Sequence, residues 1–378
     1  MVVSLTDLRE EIDSIDTQLV ELLAKRQKVT GKVGAFKKTI GKAIYDPVRE
    51  AELIAERRTL SESLGVSPDL IEDLLRRIMR ESYQSQHNSY RCLLPNTKVV
   101  VVGGAGALGS RFVDMFNRSG YEVVVFEESD WPNAEAVFSG AKLVIISVPI
   151  QVTESVIAQL PQLDDECILA DLTSLKHQPL RAMLSQHKGP VVGLHPMFGP
   201  DVPNFVKQVV VVCDGRYEDK YQWLIEQLKL WGAILEVDQA KQHDSSMEII
   251  QAMRHFTTYV YGRFLAKQDP NLEQLLRLSS PIYRLELAMT GRLFAQNSQL
   301  YADIIYSAED IEKLAEGFST ELNSALCDLK SKDKQAFKQS FESVANWFGK
   351  TSNQFLVESR TMLKTAHDAK SVKQLSSK

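Results

Sequence analysis

Apolar residues stand at Leu5, Leu8, Ile12, Ile15, Leu19, Leu22, Val29, Val33 and Phe36, stepping alternately by three and four. That spacing is the seam of a coiled coil. A helix over residues 5–38 would be roughly 50 Å long at 1.5 Å per residue. A helical domain of about ninety residues is too small to cover such a stripe alone, so a second copy is expected to cover it, as a homodimer. The seam misses one step, and the residue there is Arg26. An arginine in an apolar seam costs desolvation unless an anion meets it.

Two more helices follow. "DPVREAELIAERR" opens with Asp46 as N-cap and Pro47 at the first helical position, and "SPDLIEDLLRRIM" uses Ser67 and Pro68 the same way. The stripe of the third helix, Ile71, Leu75 and Ile78, runs on into the polar Ser82 and Gln86. Residues 84–97 read as a linker. Beyond them, "KVVVVGGAGALG", "YEVVVFEE", "KLVIISVP", "CILADLTS", "VVGLHPM" and "QVVVVCDG" read as strands, with helical stretches such as 107–118 and 218–231 between them. Alternation of strand and helix implies a mostly parallel sheet covered on both faces. From about residue 241 only helices are expected, ending in a frayed tail of a dozen residues. The fold class is therefore multidomain: an all-α segment 1–90, an α/β Rossmann-type segment 97–240 and an all-α segment 241–378.

A length of 378 residues exceeds what one core usually organises. The net charge of −5 argues against a general nucleic-acid binder, and no apolar run is long enough to span a membrane. The four cysteines, Cys92, Cys167, Cys213 and Cys327, have neither zinc-site nor disulfide-framework spacing. With no basic-then-apolar start, a cytoplasmic location is expected.

Gly104, Gly106 and Gly109 form G-x-G-x-x-G after a strand and before a helix, and Glu127 ends the next strand at roughly the 20-residue spacing of a dinucleotide site. Such glycines let backbone approach a pyrophosphate at a helix N-terminus. Ala105, Ala107 and Leu108 in the turn, with Ser147, Val148 and Pro149 after the third strand, are the other expected cofactor contacts. Glu127 or Glu128 would bond ribose hydroxyls and repel a 2′-phosphate, favouring NAD over NADP. A bound dinucleotide without a metal motif implies hydride transfer.

Polar groups gather in the N-terminal segment: Arg26, Lys37, Arg49, Glu50, Ser82 and Gln86 could converge on one cavity in a helical bundle. The set suits a small dicarboxylate, with cations for its charge and hydroxyl or amide groups for the rest. No nucleophile stands out, so such a site would act by positioning and electrostatics. Arg9 lies about 25 Å from Arg26 along one helix and could join that cavity only from a partner chain. Each of Arg9, Lys37 and Arg49 taken alone could simply face water. In "VVGLHPMFGP", His195 taken alone reads first as a packed, hydrogen-bonded residue beside a strand.

"LREEID", "LLAKR", "YDPVREAEL" and "ESYQSQ" resemble the all-helical chorismate mutases; "VVGGAGALG", "DLTSLK", "GLHPMFGP" and "SSPIYRLELAMTGRLFAQ" resemble prephenate dehydrogenases. In this order, over nearly the whole chain, they resemble the bifunctional chorismate mutase/prephenate dehydrogenases of enteric-type bacteria. The resemblance implies a pericyclic rearrangement of chorismate to prephenate at Arg26, Lys37, Asp46, Arg49, Glu50, Ser82 and Gln86, completed by Arg9 of the partner chain. It implies NAD-dependent oxidative decarboxylation of prephenate to 4-hydroxyphenylpyruvate, a step of tyrosine biosynthesis. His195 would accept the hydroxyl proton as the hydride leaves, a role that suits neutral imidazole near pH 7. Ser174 would help orient hydroxyl and nicotinamide, and Arg292 would clamp a carboxylate, with Arg284 assisting. Lys176 could touch substrate or be solvated. His255 could be packed, or could contact the substrate side chain or an inhibitory tyrosine. Two rivals are an arogenate dehydrogenase with an inert helical dimeriser, and a dinucleotide-sensing dimeriser without turnover.

Overall fold

The computed structural model describes residues 4–85 and 90–375, which form two compact units, 1–243 and 244–378. The first unit opens with three helices, α1 (Leu5–Ile40), α2 (Pro47–Ser63) and α3 (Pro68–Ser85). Ser4 and Asp7 form a reciprocal capping box at the start of α1, and Gly41 ends it in the left-handed region, where a side chain would be strained. No residue of α1 is buried. Its seam residues are solvent-exposed from Leu5 (64%) to Phe36 (65%), as expected of a stripe that the rest of its own domain cannot cover.

The α/β region runs β1 (Lys98–Val102), α4 (Gly109–Ser119), β2 (Glu122–Phe126), α5 (Ala134–Phe138), β3 (Leu143–Ile146), α6 (Ile150–Gln159), β4 (Ile168–Asp171), α7 (His177–Gln186), β5 (Val191–Pro196), β6 (Val209–Arg216), α8 (Glu218–Leu230), β7 (Ile234–Val237) and α9 (Ala240–Met247). The seven strands lie in the order β2-β1-β3-β4-β5-β6-β7. All neighbours are parallel except β5 and β6. Alternate strand residues feed two cores. Val99, Val101, Leu143 and Ile145 pack with Phe112, Phe116 and Trp231 on one face; Val100, Val102, Val144 and Ile146 pack with Phe126, Phe138 and Ile157 on the other. Such two-sided burial explains why the strands read as unbroken apolar runs.

The expected linker is more than a tether. Tyr90 is 3% exposed and belongs to the first core, and the Leu93 N–H donates to the Tyr121 hydroxyl. Ile44, from the turn between α1 and α2, is buried in the same core. The helical domain is thus fastened to the sheet from two points.

The second unit is helical: α10 (Arg254–Gln268), α11 (Leu272–Leu278), α12 (Pro281–Phe294), α13 (Ser298–Tyr306), α14 (Ile311–Ser331), α15 (Lys334–Phe348) and α16 (Lys350–Leu375), with a π-helical stretch over Glu248–Met253. The helix α16 continues through most of the segment expected to fray. Among the described residues no helix is long and apolar enough to cross a membrane.

Candidate active sites

The three N-terminal helices and the turn between the first two form an open cavity of about 120 Å³ lined by Arg26, Lys37, Asp46, Arg49, Glu50, Ser82 and Tyr83, among others. Arg26 Nη1 donates to Ser82 Oγ at 2.8 Å, joining α1 to α3. Lys37 Nζ donates to the Ile44 carbonyl at 2.8 Å. Burial pulls both cations below their ordinary pKa values; for Lys37, the Asp46 carboxylate opposes that shift. Asp46 accepts from the Arg49 N–H as the N-cap of α2, so it also fixes the helix start. Glu50 has a side chain only 6% exposed; it accepts from the Tyr83 hydroxyl at 2.9 Å and pairs with Arg76 at 3.5 Å and Lys207 at 2.5 Å. The Arg49 guanidinium sits at the rim, beside exposed Glu52. Arg9 is exposed and does not line this cavity, as its distance along α1 requires. Gln86 lies outside the described residues.

A second cluster forms at the carboxyl ends of β1, β3, β4 and β5. The chain leaves β1 for β2 on one side and returns to β3 on the other, which makes a topological switch point where α/β sheets bind ligands. The glycine turn lies there. Gly103, at φ +76°, starts it; a Cβ on Gly103 would come within 2.4 Å of the Ser147 carbonyl, and one on Gly109 within 2.4 Å of the Gly103 carbonyl. These positions therefore tolerate no side chain, whereas Ala105, Gly106 and Ala107 are exposed at the crest. Leu108 precedes α4 without a side-chain cap on its first turn. Glu127 Oε1 accepts from the Ala105 N–H at 2.8 Å, so the carboxylate is held against the turn. Ser147 and Val148 border Gly103 and Gly109 from the end of β3, and Pro149 precedes α6. The crest, the uncapped helix start and the acidic residue just past β2 together fit a dinucleotide.

His195 is 4% exposed at the end of β5, and its Nδ1 lies 2.9 Å from Nε2 of buried His243 on α9. Burial first, then the nearby Lys176 ammonium and His243, hold His195 well below the ordinary histidine range, so it is neutral near pH 7. Lys176 is fully buried rather than solvated: its Nζ pairs with Asp171 at 2.5 Å and donates to the Leu194 carbonyl at 2.8 Å. That pair ties the end of β4 to the residue before His195. Ser174 is half-buried in the turn after β4.

Within the second unit, Arg284 and Arg292 lie on α12, Arg284 half-buried and Arg292 exposed. His255 opens α10, its ring 4.8 Å from that of Tyr301; burial and Arg254 lower its pKa to about 4. The packed alternative for His255 therefore has a named neighbour.

Five contributors escape the sequence reading, among them Tyr83, which donates to Glu50 from α3. Gly103 had a visible signal, the doubled glycine after β1. Asp171 had a weaker one, an acid ending a buried strand. His243 and Lys207 had none, because each is distant in the chain from what it touches.

Residues 8–87 match the family model of type II chorismate mutase, 122–237 that of the prephenate dehydrogenase nucleotide-binding domain and 239–343 that of the prephenate dehydrogenase dimerization domain. The chain is 54% identical to the T-protein of Enterobacter agglomerans over 98% of this chain and all of that one. It is 47% identical to the T-protein of Haemophilus influenzae over 97% of this chain and 98% of that one. Among solved structures, a prephenate dehydrogenase of A. aeolicus, in complex with hydroxyphenyl propionate and NAD+, shares its fold at TM-score 0.52 and 16% identity, covering 67% of this chain and 97% of that one. The chain belongs to the T-protein family, whose members join a chorismate mutase to a prephenate dehydrogenase in one polypeptide of tyrosine biosynthesis.

Proposed function

We infer that the cavity of the N-terminal helices rearranges chorismate to prephenate and that the sheet edge at His195 oxidises and decarboxylates prephenate with NAD. The observation that carries this reading is the pairing, in one chain, of a pocket lined by Arg26, Lys37 and Arg49 and a neutral buried histidine beside a dinucleotide-type turn. In the first site Arg26, Lys37 and Arg49, joined by Arg9 of the partner chain, meet the two carboxylates of chorismate. Asp46, Glu50, Ser82 and Gln86 hold its ether and hydroxyl groups. A pericyclic reaction asks nothing more than a held conformation and stabilised charge.

In the second site Gly104, Ala105, Gly106, Ala107, Leu108 and Gly109 carry the pyrophosphate, Glu127 the ribose, and Ser147, Val148 and Pro149 flank the nicotinamide half. NAD, when bound, supplies the hydride acceptor. In this reading His195 is the tautomer whose Nδ1–H faces His243, with Nε2 turned to the substrate hydroxyl; it takes that proton, while Ser174 orients the hydroxyl. Lys176 keeps the His195 strand in place. Arg292, with Arg284, binds a substrate carboxylate, and His255 contacts the substrate side chain or inhibitory tyrosine. The functional segments are 1–90, 97–240 and 241–378, in a cytoplasmic homodimer sealed along the exposed seam of α1.

Chorismate and NAD given to the purified protein, with no prephenate added, are expected to yield NADH. NADH appearing only after prephenate or arogenate is supplied would remove the mutase from this reading. Gly109→Ala tests the turn. Its Cβ meets backbone, which cannot give as a side-chain tip would, and a distortion of about 1–3 kcal/mol, if borne by the cofactor site, corresponds to a roughly 5- to 150-fold rise in KM for NAD. Mutase turnover is expected to stay at the wild-type rate, and an unchanged KM for NAD would place the cofactor elsewhere.

A further inference from the structure

Lys207 belongs to neither site by position: it lies in the turn between β5 and β6, in the α/β region. Its ammonium nevertheless ends at the wall of the helical cavity. Nζ is 2.5 Å from Glu50 Oε1 and 5.1 Å from the centroid of the Tyr45 ring, which meets Tyr83 edge-on. The backbone that presents it is anchored. Phe205 and Val206 before it are buried, its own N–H donates to the Gly232 carbonyl at 2.9 Å, and its φ of +62° is one that a lysine rarely adopts. A second link runs parallel to it: Lys37, in the cavity, donates to the carbonyl of Ile44, whose side chain is buried in the core of the sheet. Two charged residues of the cavity are thus held by atoms fixed to the α/β region.

We propose that Lys207 is a positioning residue for the chorismate rearrangement, holding the Glu50 carboxylate in place so that the nucleotide-binding domain completes the mutase site of its own chain. The inference rests on the assignment of Glu50 to that site. The Lys207 side chain is 39% exposed, and ion pairs with such a partner add little to stability. Its effect is on geometry. Without it, the carboxylate keeps the Tyr83 hydroxyl at 2.9 Å and has Arg76, at 3.5 Å, as its other cation among the described residues, toward which it would turn.

The test uses the full-length protein. Lys207→Met is expected to lower mutase kcat about tenfold, the size of a lost charged hydrogen bond in a half-exposed setting, with prephenate oxidation and melting temperature unchanged. Lys207→Arg restores most of the rate. In a Glu50→Gln background, Lys207→Met adds nothing, because the group through which it acts is gone. A wild-type mutase kcat in Lys207→Met, beside an impaired Glu50→Gln, overturns the proposal; so does a loss of the same size in both backgrounds. Full mutase activity in Glu50→Gln instead overturns the site assignment beneath it. Should Lys207→Met lose prephenate oxidation as well, Lys207→Gln, which keeps a polar side chain, is read by the same criteria.

Discussion

Replacing His195 by Asn is expected to lower prephenate oxidation by about 10²- to 10⁴-fold, the usual contribution of a positioned proton acceptor. Asn is the informative choice. Its amide occupies nearly the space of the Cγ–Nδ1 edge of imidazole, so the bond from Nδ1 to His243, 2.9 Å in the wild type, can be kept while Nε2 is lost. The fold should therefore survive, and chorismate consumption in the same preparation should match wild type. The wild-type pH profile gives an independent measurement. Burial, Lys176 and His243 depress the His195 pKa, so the active neutral form persists as pH falls below 6.5, and the acid limb of kcat/KM is expected on the low side of that value. The same shift makes neutral His195 a source of stability above pH 6.5 that is lost as pH falls through the folded-state value. Normal prephenate oxidation by the Asn variant, or an acid limb above 6.5, would each refute the assignment of His195 as the acceptor.

Local patterns made the elements legible. The seam of α1, the Asp46-Pro47 start of α2, the apolar strands and the glycine turn all depend on short-range spacing, which a sequence carries openly. Arg26 was legible for a further reason: it breaks a pattern whose physical cost is known. What stayed hidden depends on contacts between residues far apart in the chain. Lys176 could be read as solvated until β4 and β5 were seen side by side, with Asp171 and the Leu194 carbonyl around its ammonium. His195 gave no sign of which nitrogen is engaged, because His243 arrives from a helix forty-eight residues on. Residues 84–97 looked like a linker from composition alone, yet Tyr90 is core. Lys207, on a turn with no motif, reaches Glu50 across a domain boundary. Periodicity locates a residue on its own element, and the partner it meets is set by tertiary packing.

Arg26→Met is expected to lower chorismate rearrangement by about 10²- to 10³-fold, the range for removing one pre-placed donor to developing charge. Methionine keeps the apolar stem and drops the guanidinium tip, so the loss would be chiefly that of charge and of the hydrogen bond to Ser82 rather than of packing. Ser82 retains its bond to the Ile78 carbonyl, which limits the damage to α3. Stability should move the other way or not at all: a cation on an apolar seam costs desolvation, and an apolar replacement of similar volume is commonly neutral or stabilising. The combination of a large catalytic loss with an undiminished melting temperature separates a functional arginine from a structural one. Chorismate with NAD should then give almost no NADH, while prephenate with NAD gives the wild-type rate. That result would mirror the His195 variant and make the two reactions separable in one chain. A melting temperature several degrees lower with little loss of mutase rate would mean that Arg26 serves the seam, and the anion-binding role would pass to Lys37 and Arg49.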